Sequence, residues 1–187
     1  MISVQKILEV NHKIFGYVKT TPLQENDTLS DKYGCKVLLK REDLQLGRSY
    51  KIRGAFNKIS SLNEDERATG VVCASAGNHA QGVALSANKM KVKATICMPE
   101  TTPDIKVDAV RRFGGEWADI VLIGKSFDVA SQHAQKLAKE HDYTYVPPFD
   151  DEDVIAGQGT IAKELFDEKR DLDMVFVAVG GGGLAAG

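Results

Sequence analysis

The sequence is short of cysteine, and the little it has is scattered. Cys35, Cys73 and Cys97 are odd in number and far apart, with no C-x-x-C pair and no Cys/His spacing of a metal site. Neither a disulfide framework nor zinc is expected from them. Cys73 and Cys97 stand inside apolar runs and read as small core residues. Charge of one sign is also lacking: 24 Lys and Arg against 26 Asp and Glu leave a net charge of -2 and a pI near 6.1. Nucleic acid or an acidic membrane surface requires a basic face, which this balance does not offer. No apolar run is long enough to span a bilayer, and the first residues show no charged-then-apolar signal pattern. No membrane partner is expected, and a reducing cytoplasm is the expected compartment. Repeats and low-complexity tracts are absent. What remains is an ordinary globular composition, 187 residues at 43% hydrophobic and 27% charged, sized for one or two domains. A chain of that length builds a core without staples.

The pattern alternates. Ser3 can cap a first helix with Val4, Ile7, Leu8, Ile14 and Phe15 as its apolar stripe. Thr21-Pro22-Leu23 forces extended backbone. A short helix over 27–33 stops at Gly34, and a strand over 36–40 leads to a helix over 52–62 with Phe56, Ile59 and Leu62 inward. Strands are predicted over 71–74, 94–98, 120–123, 143–146 and 174–179. Helices are predicted over 78–90, 104–113, 126–140 and 154–166, the third with Val129, Ala130, His133, Ala134 and Leu137 inward. Apolar strands separated by amphipathic helices make parallel βαβ units, so the fold class is α/β. Pro147-Pro148-Phe149-Asp150-Asp151-Glu152-Asp153 interrupts the pattern and reads as a domain crossing. Gly157 and Gly159, inside the next helix, suggest close approach to another backbone.

Three stretches carry chemistry. Ser49-Tyr50-Lys51-Ile52-Arg53-Gly54-Ala55 places Lys51 between a strand-plus-turn and the start of a helix, where its amine can meet a ligand. Gly180-Gly181-Gly182-Gly183-Leu184 follows a strand; four residues without a β-carbon let backbone N–H groups converge on an anion, with the positive end of the next helix behind them. Phosphate is the natural guest. The same run satisfies a weak dinucleotide fingerprint through Gly180, Gly182 and Ala185. Ser75-Ala76-Gly77-Asn78-His79 also joins a strand to a helix, and its amides can hold a carboxylate while Asn78 orients a ring hydroxyl. An amine that forms an imine, a phosphate cradle and a carboxylate loop together suggest pyridoxal 5'-phosphate.

These residues resemble the threonine dehydratases (threonine ammonia-lyases) among the fold-type II pyridoxal phosphate enzymes. The resemblance runs through Thr21-Pro22-Leu23, Leu39 to Gln45, Ser49 to Ala55, Ser75 to Ala84, Met98 to Lys106, Ala156-Gly157-Gln158-Gly159-Thr160 and Gly180 to Leu184, nearly the whole chain. It implies a fold like that of the tryptophan synthase β chain. A parallel-sheet small domain over 54–151 would be inserted in an incomplete larger α/β domain made of 1–53 and 152–187. It implies that Lys51 is the Schiff-base lysine, with Tyr50 beside the cofactor where the family usually has phenylalanine. Ser75, Ala76, Gly77, Asn78 and His79 would bind the substrate carboxylate, with Asn78 against the cofactor's 3'-oxygen, and Gly180, Gly181, Gly182, Gly183 and Leu184 would hold the phosphate.

The implied activity is deamination of the small amino acid L-threonine, and of L-serine, to 2-oxobutanoate or pyruvate and ammonia, the first step of isoleucine biosynthesis. The implied assembly is a homo-oligomer, dimer or tetramer, when full length. The stretches Lys40 to Gln45 and Thr101-Thr102-Pro103 look closer to the biosynthetic members. Serine racemases resemble the same family but use a serine base where this chain has Ala76, which favours elimination over racemisation. Cysteine-synthase and threonine-synthase relatives offer other β-elimination or replacement chemistry. A non-catalytic nucleotide-binding Rossmann module would explain the glycines and leave Lys51 and Asn78 without purpose. Ending at Gly187, the chain is expected to be an N-terminal portion of something longer, inactive by itself.

Overall fold

The computed structural model describes residues 2–187. Helix α1 (Val4–Ile14) starts at Ser3, whose Oγ accepts from the Lys6 N–H, the usual cap for an orphan donor. Strand β1 (Leu23–Glu25) runs antiparallel to β2 (Leu38–Lys40), with Leu23 opposite Lys40. Between them lies α2 (Asp27–Tyr33), ended by Gly34 at φ +64, the left-handed conformation that glycine adopts freely. A single 3-10 turn (Glu42–Leu44) leads to α3 (Lys51–Ser60), followed by α4 (Glu64–Thr69) behind an Asn63–Glu66 capping box.

The main sheet follows. Strands β3 (Val71–Ala74), β4 (Ala94–Met98), β5 (Ala118–Leu122) and β6 (Thr144–Tyr145) pair in the order β5-β4-β3-β6, all parallel. Their crossovers are α5 (Asn78–Met90), α6 (Asp104–Gly114) and α7 (Phe127–Glu140). Every residue of β3 is buried, as in a parallel sheet covered on both faces. Val71, Cys73, Ile96 and Met98 pack with Ile59, Val83 and Val110 on one face. Val72, Ala74 and Cys97 pack with Ala130 and Ala134 of α7 on the other. Cys73 and Cys97 are therefore core residues on opposite faces, and burial pushes both thiols up, Cys97 to about 11.

A second cluster, Val10, Ile14, Val18, Ile52, Phe56 and Ala156, joins α1 and α3 to α8 (Glu152–Glu168). Helices α3 and α8 cross with backbones touching: a Cβ on Gly157 would lie 2.6 Å from the Arg53 carbonyl oxygen and from the Gly54 Cα. Gly159 meets the Gly187 carbonyl in the same way, at 2.8 Å. The chain closes with α9 (Gly183–Ala186), one turn long.

Three expectations need correction. Residues 174–179 form no strand: they carry no regular secondary structure and are exposed, Phe176 at 91%. Their sequence is apolar enough, but a strand exists only when neighbouring backbone satisfies its N–H and C=O groups, and among the described residues no strand lies beside them. The α1 stripe is rotated: Val10 and Ile14 are buried, whereas Val4 and Phe15 are each 73% exposed. Val129 of α7 is also exposed, because α7 meets the sheet through its alanines. Helix α4 was not anticipated.

Candidate active site

Lys51 is the first residue of α3, entered through Arg48, which sits at φ +51, and Ser49, whose Oγ accepts from the Lys51 N–H at 3.2 Å. The helix start carries partial positive charge and disfavours an ammonium there. Burial lowers the Lys51 pKa from its ordinary value. The amine donates to the Pro148 carbonyl at 2.6 Å and lies 5.4 Å from the centroid of the Tyr50 ring. Tyr50 is half-buried, and its phenol is pushed up by that burial.

The Ser75–His79 loop leaves β3 and enters α5. Asn78, the first residue of α5, is exposed, and nothing lies within 4 Å of a Cβ placed on Gly77. The Gly77 N–H turns back onto Ser75 Oγ at 3.2 Å. His79 is buried, and its Nε2 meets the Val146 carbonyl oxygen at 2.9 Å. A carbonyl only accepts, so Nε2 carries the hydrogen and Nδ1 is left as a bare acceptor, without a partner among the described residues. Desolvation, helped by the Lys51 charge, lowers the His79 pKa to about 4, so the ring is neutral at pH 7. Its role in this structure is to tie α5 to residue 146.

Gly82, one turn further along α5, brings the loop to the lysine. A Cβ there would lie 3.1 Å from both the Ile52 nitrogen and the Lys51 carbonyl carbon. Helix α5 thus rests directly on the backbone of Lys51 and Ile52. Sequence reading did not single out Gly82; a glycine inside an otherwise good helix was the available signal.

The glycine loop has two different sides. A Cβ on Gly181 would overlap the Phe149 ring, and one on Gly183 would lie 2.7 Å from the Phe149 carbonyl oxygen. Gly180 and Gly182 have nothing within 4 Å, and Gly182 is left-handed at φ +88. Leu184 is half-buried in the turn that follows. The loop therefore has room for a ligand on its Gly180 and Gly182 side. Val146, the end of the predicted strand over 143–146, and Pro148 and Phe149, read from sequence only as part of a domain crossing over 147–153, together touch all three stretches. Val146 meets His79, Pro148 meets Lys51, and Phe149 meets Gly181 and Gly183.

Arg53 holds this arrangement from below. It is 1% exposed, and its guanidinium donates to Glu42, Glu164, Thr160 Oγ1 and the Lys19 carbonyl. Lys40 adds a contact to Glu164 at 2.8 Å. Burial alone would raise the Glu164 pKa; the Arg53 and Lys40 charges outweigh it and hold the carboxyl below its ordinary value. Two cavities, of about 320 and 510 Å³, lie elsewhere: one at α1 against Asn57 and Asp153, the other between Gly47, Gln81 and Arg112. Lys51 and the glycine loop line neither; the candidate site lies at the first turns of α3 and α5 and at the glycine loop.

The family model for pyridoxal-phosphate dependent enzymes matches residues 14–187. The chain belongs to this family. The cofactor suggested by the amine and the glycine run is thus the cofactor of the family, and the residues fit it: a half-buried amine of lowered pKa, and a run of amides with two open glycines. Among curated relatives, the biosynthetic L-threonine dehydratase of Haemophilus influenzae is 51% identical over 184 residues, covering 98% of this chain and 35% of that protein. The enzyme of the same name from Halalkalibacterium halodurans is 46% identical, covering 100% of this chain and 45% of that protein. The chain thus spans less than half the length of these relatives. Among solved structures, processed threonine deaminase isoform 2 of Solanum lycopersicum superposes with a TM-score of 0.88 at 45% identity, over 97% of this chain and 51% of that one. Maize serine racemase superposes at 0.93 with 31% identity, over 98% and 55%. The fold-type II architecture expected from the motifs is therefore the fold of this chain.

Proposed function

We propose that these residues form the amine and anion sites of an enzyme that deaminates L-threonine, and L-serine as well, to 2-oxobutanoate or pyruvate and ammonia, opening isoleucine biosynthesis. The observation that carries the reading is the placement of the Lys51 amine, desolvated and held by Pro148, next to a carboxylate-type loop and an open glycine run. The names of the relatives at about half identity support it.

Pyridoxal phosphate, when bound, supplies the electron sink for the negative charge left at the substrate α-carbon. The protein's own residues do the rest. The N–H groups around Gly180 and Gly182 bind the phosphate, with Gly181, Gly183 and Leu184 completing the turn. Tyr50 would flank the cofactor, and Asn78 would orient its ring oxygen. Ser75, Ala76, Gly77, Asn78 and His79 form the loop that receives the substrate carboxylate. Lys51 would hold the cofactor through its side-chain nitrogen and would take the substrate α-proton; its lowered pKa leaves more of the amine neutral and able to do so. Loss of the β-hydroxyl as water and re-addition of water at the α-carbon, releasing ammonia, balance the reaction.

A racemase reading has the maize likeness in its favour. Ala76 argues against it, because a methyl group cannot donate or accept a proton. The proposal extends to a cytoplasmic homo-oligomer and to a division into a small domain, 54–151, set within flanks 1–53 and 152–187. In the full-length enzyme, replacing Lys51 by Ala is expected to abolish threonine-dependent formation of 2-oxobutanoate; near-normal turnover in that variant removes the proposal. D-serine formed as fast as pyruvate from L-serine would establish racemisation instead.

A further inference from the structure

We infer that Phe149 is a positioning residue. It holds the glycine loop in register with the Lys51 amine, so that binding of a phosphate group and reaction at Lys51 are coupled through the Pro148-Phe149 dipeptide. The inference rests on the proposed reading of these residues as the pyridoxal phosphate site.

The glycine loop is weakly held by its own flanks. Residues 174–179 before it are unpaired, and α9 after it is one turn, with Gly187 resting on Gly159. Phe149 is the nearest neighbour at two of the loop's positions, lying against Gly181 with its ring and against Gly183 with its backbone, while a Cβ on Gly180 or Gly182 would face open space. A run of glycines is the most mobile backbone available, so a loop with one contacted side takes its shape from that contact.

The residue immediately before is Pro148, whose carbonyl accepts from the Lys51 amine at 2.6 Å. Two consecutive prolines, Pro147 and Pro148, have φ fixed near about -65°. Val146, ahead of them, is held by His79 and by its own N–H to the Val72 carbonyl at 2.8 Å. The connector is therefore stiff and anchored at its sheet end. A stiff link between the acceptor of the amine and the support of the loop sets the distance at which an aldehyde and a phosphate on one ligand must lie. Phe149 is 39% exposed, so its ring contributes little to the core, and truncation removes the support with little loss of stability.

The experiment compares pyridoxal 5'-phosphate with pyridoxal, which lacks the phosphate. Each is titrated into the protein, trapped with borohydride, and the adduct at Lys51 is quantified by peptide mass. The wild type is expected to prefer the phosphate ester. Phe149→Ala is expected to lose about tenfold of that preference, equivalent to about 1.4 kcal/mol, while its urea midpoint stays near wild type. Phe149→Leu, which keeps an apolar side chain under the loop, is expected to keep most of it. Gly181→Ala is expected to lose preference as well, because its methyl meets the ring, and to add no further loss in the Phe149→Ala background, the non-additivity of a shared contact. Wild-type preference in Phe149→Ala, or additive losses at positions 149 and 181, overturns the inference and leaves the site reading standing. A wild type that labels Lys51 equally with both compounds, or not at all, overturns both.

Discussion

Arg53 grips both carboxylate oxygens of Glu164, at 2.6 and 2.9 Å, and so joins the helix that begins with Lys51 to the helix that carries Gly157. Ser49 Oγ accepts from the Lys51 N–H at the start of α3, and Ser61 Oγ donates to the Lys58 carbonyl at its end. A buried arginine between two carboxylates, two residues after the lysine, adds a tertiary anchor to that first turn.

Removing one member of this buried group leaves charge without compensation. Arg53→Ala is expected to cost about 3–5 kcal/mol. Arg53→Lys retains the charge but loses the fork, and is expected to fall between Ala and wild type. Urea unfolding monitored by circular dichroism measures both; a cost below about 1 kcal/mol for the alanine would mean that the network is solvated.

The pH dependence of stability has a definite sign. His79 titrates near 4 in the folded chain against 6.5 ordinarily, so between those values the unfolded chain binds the extra proton. Stability from His79 is complete above pH 6.5 and is lost as pH falls toward 4. Glu164, held below its ordinary 4.5, acts in the same direction at lower pH. Unfolding free energy is expected to rise from pH 4 to 6.5, and His79→Gln is expected to flatten that slope. A slope unchanged in the variant would assign it to other groups.

Gly82→Ala tests the contact between α5 and the lysine backbone. Its methyl would stand 3.1 Å from the Ile52 nitrogen and the Lys51 carbonyl carbon, so the helices must part. A cost of about 1–3 kcal/mol is expected for such overpacking, together with weaker trapping of pyridoxal 5'-phosphate at Lys51. Gly180→Ala, which meets nothing, is expected to keep wild-type stability. Equal effects of the two on the urea midpoint would refute the close approach.

The apolar segment Met174–Val179 is exposed and is expected to be a surface for association. With five of its large side chains exposed and no charge, it has the composition of an association-prone edge. Phe176→Lys is expected to reduce concentration-dependent association in sedimentation velocity and to leave the urea midpoint unchanged. Association unaltered by this substitution would place the contact elsewhere.

Sequence alone determined the alternation of strands and helices from residue 71 to 145, because each element there carries its own signal: all-apolar strands, helix stripes, and glycine or proline at the ends. It also supplied the candidate residues, since a lysine at a helix start, which alone is usually just solvated, gains weight beside two glycine-containing strand-to-helix turns and the family resemblance they share. Only the tertiary structure decided which residues meet. Gly82 and Phe149 join the candidate site because other segments fold against them, and a glycine in a helix or an aromatic after two prolines looks the same whether or not a partner arrives. Arg53 and Glu164, 111 residues apart, are each unremarkable until burial makes them neutralise one another. The reverse holds for residues 174–179. Their pattern is that of a strand, and they form none here, because a strand is completed by its neighbour and not by its own side chains.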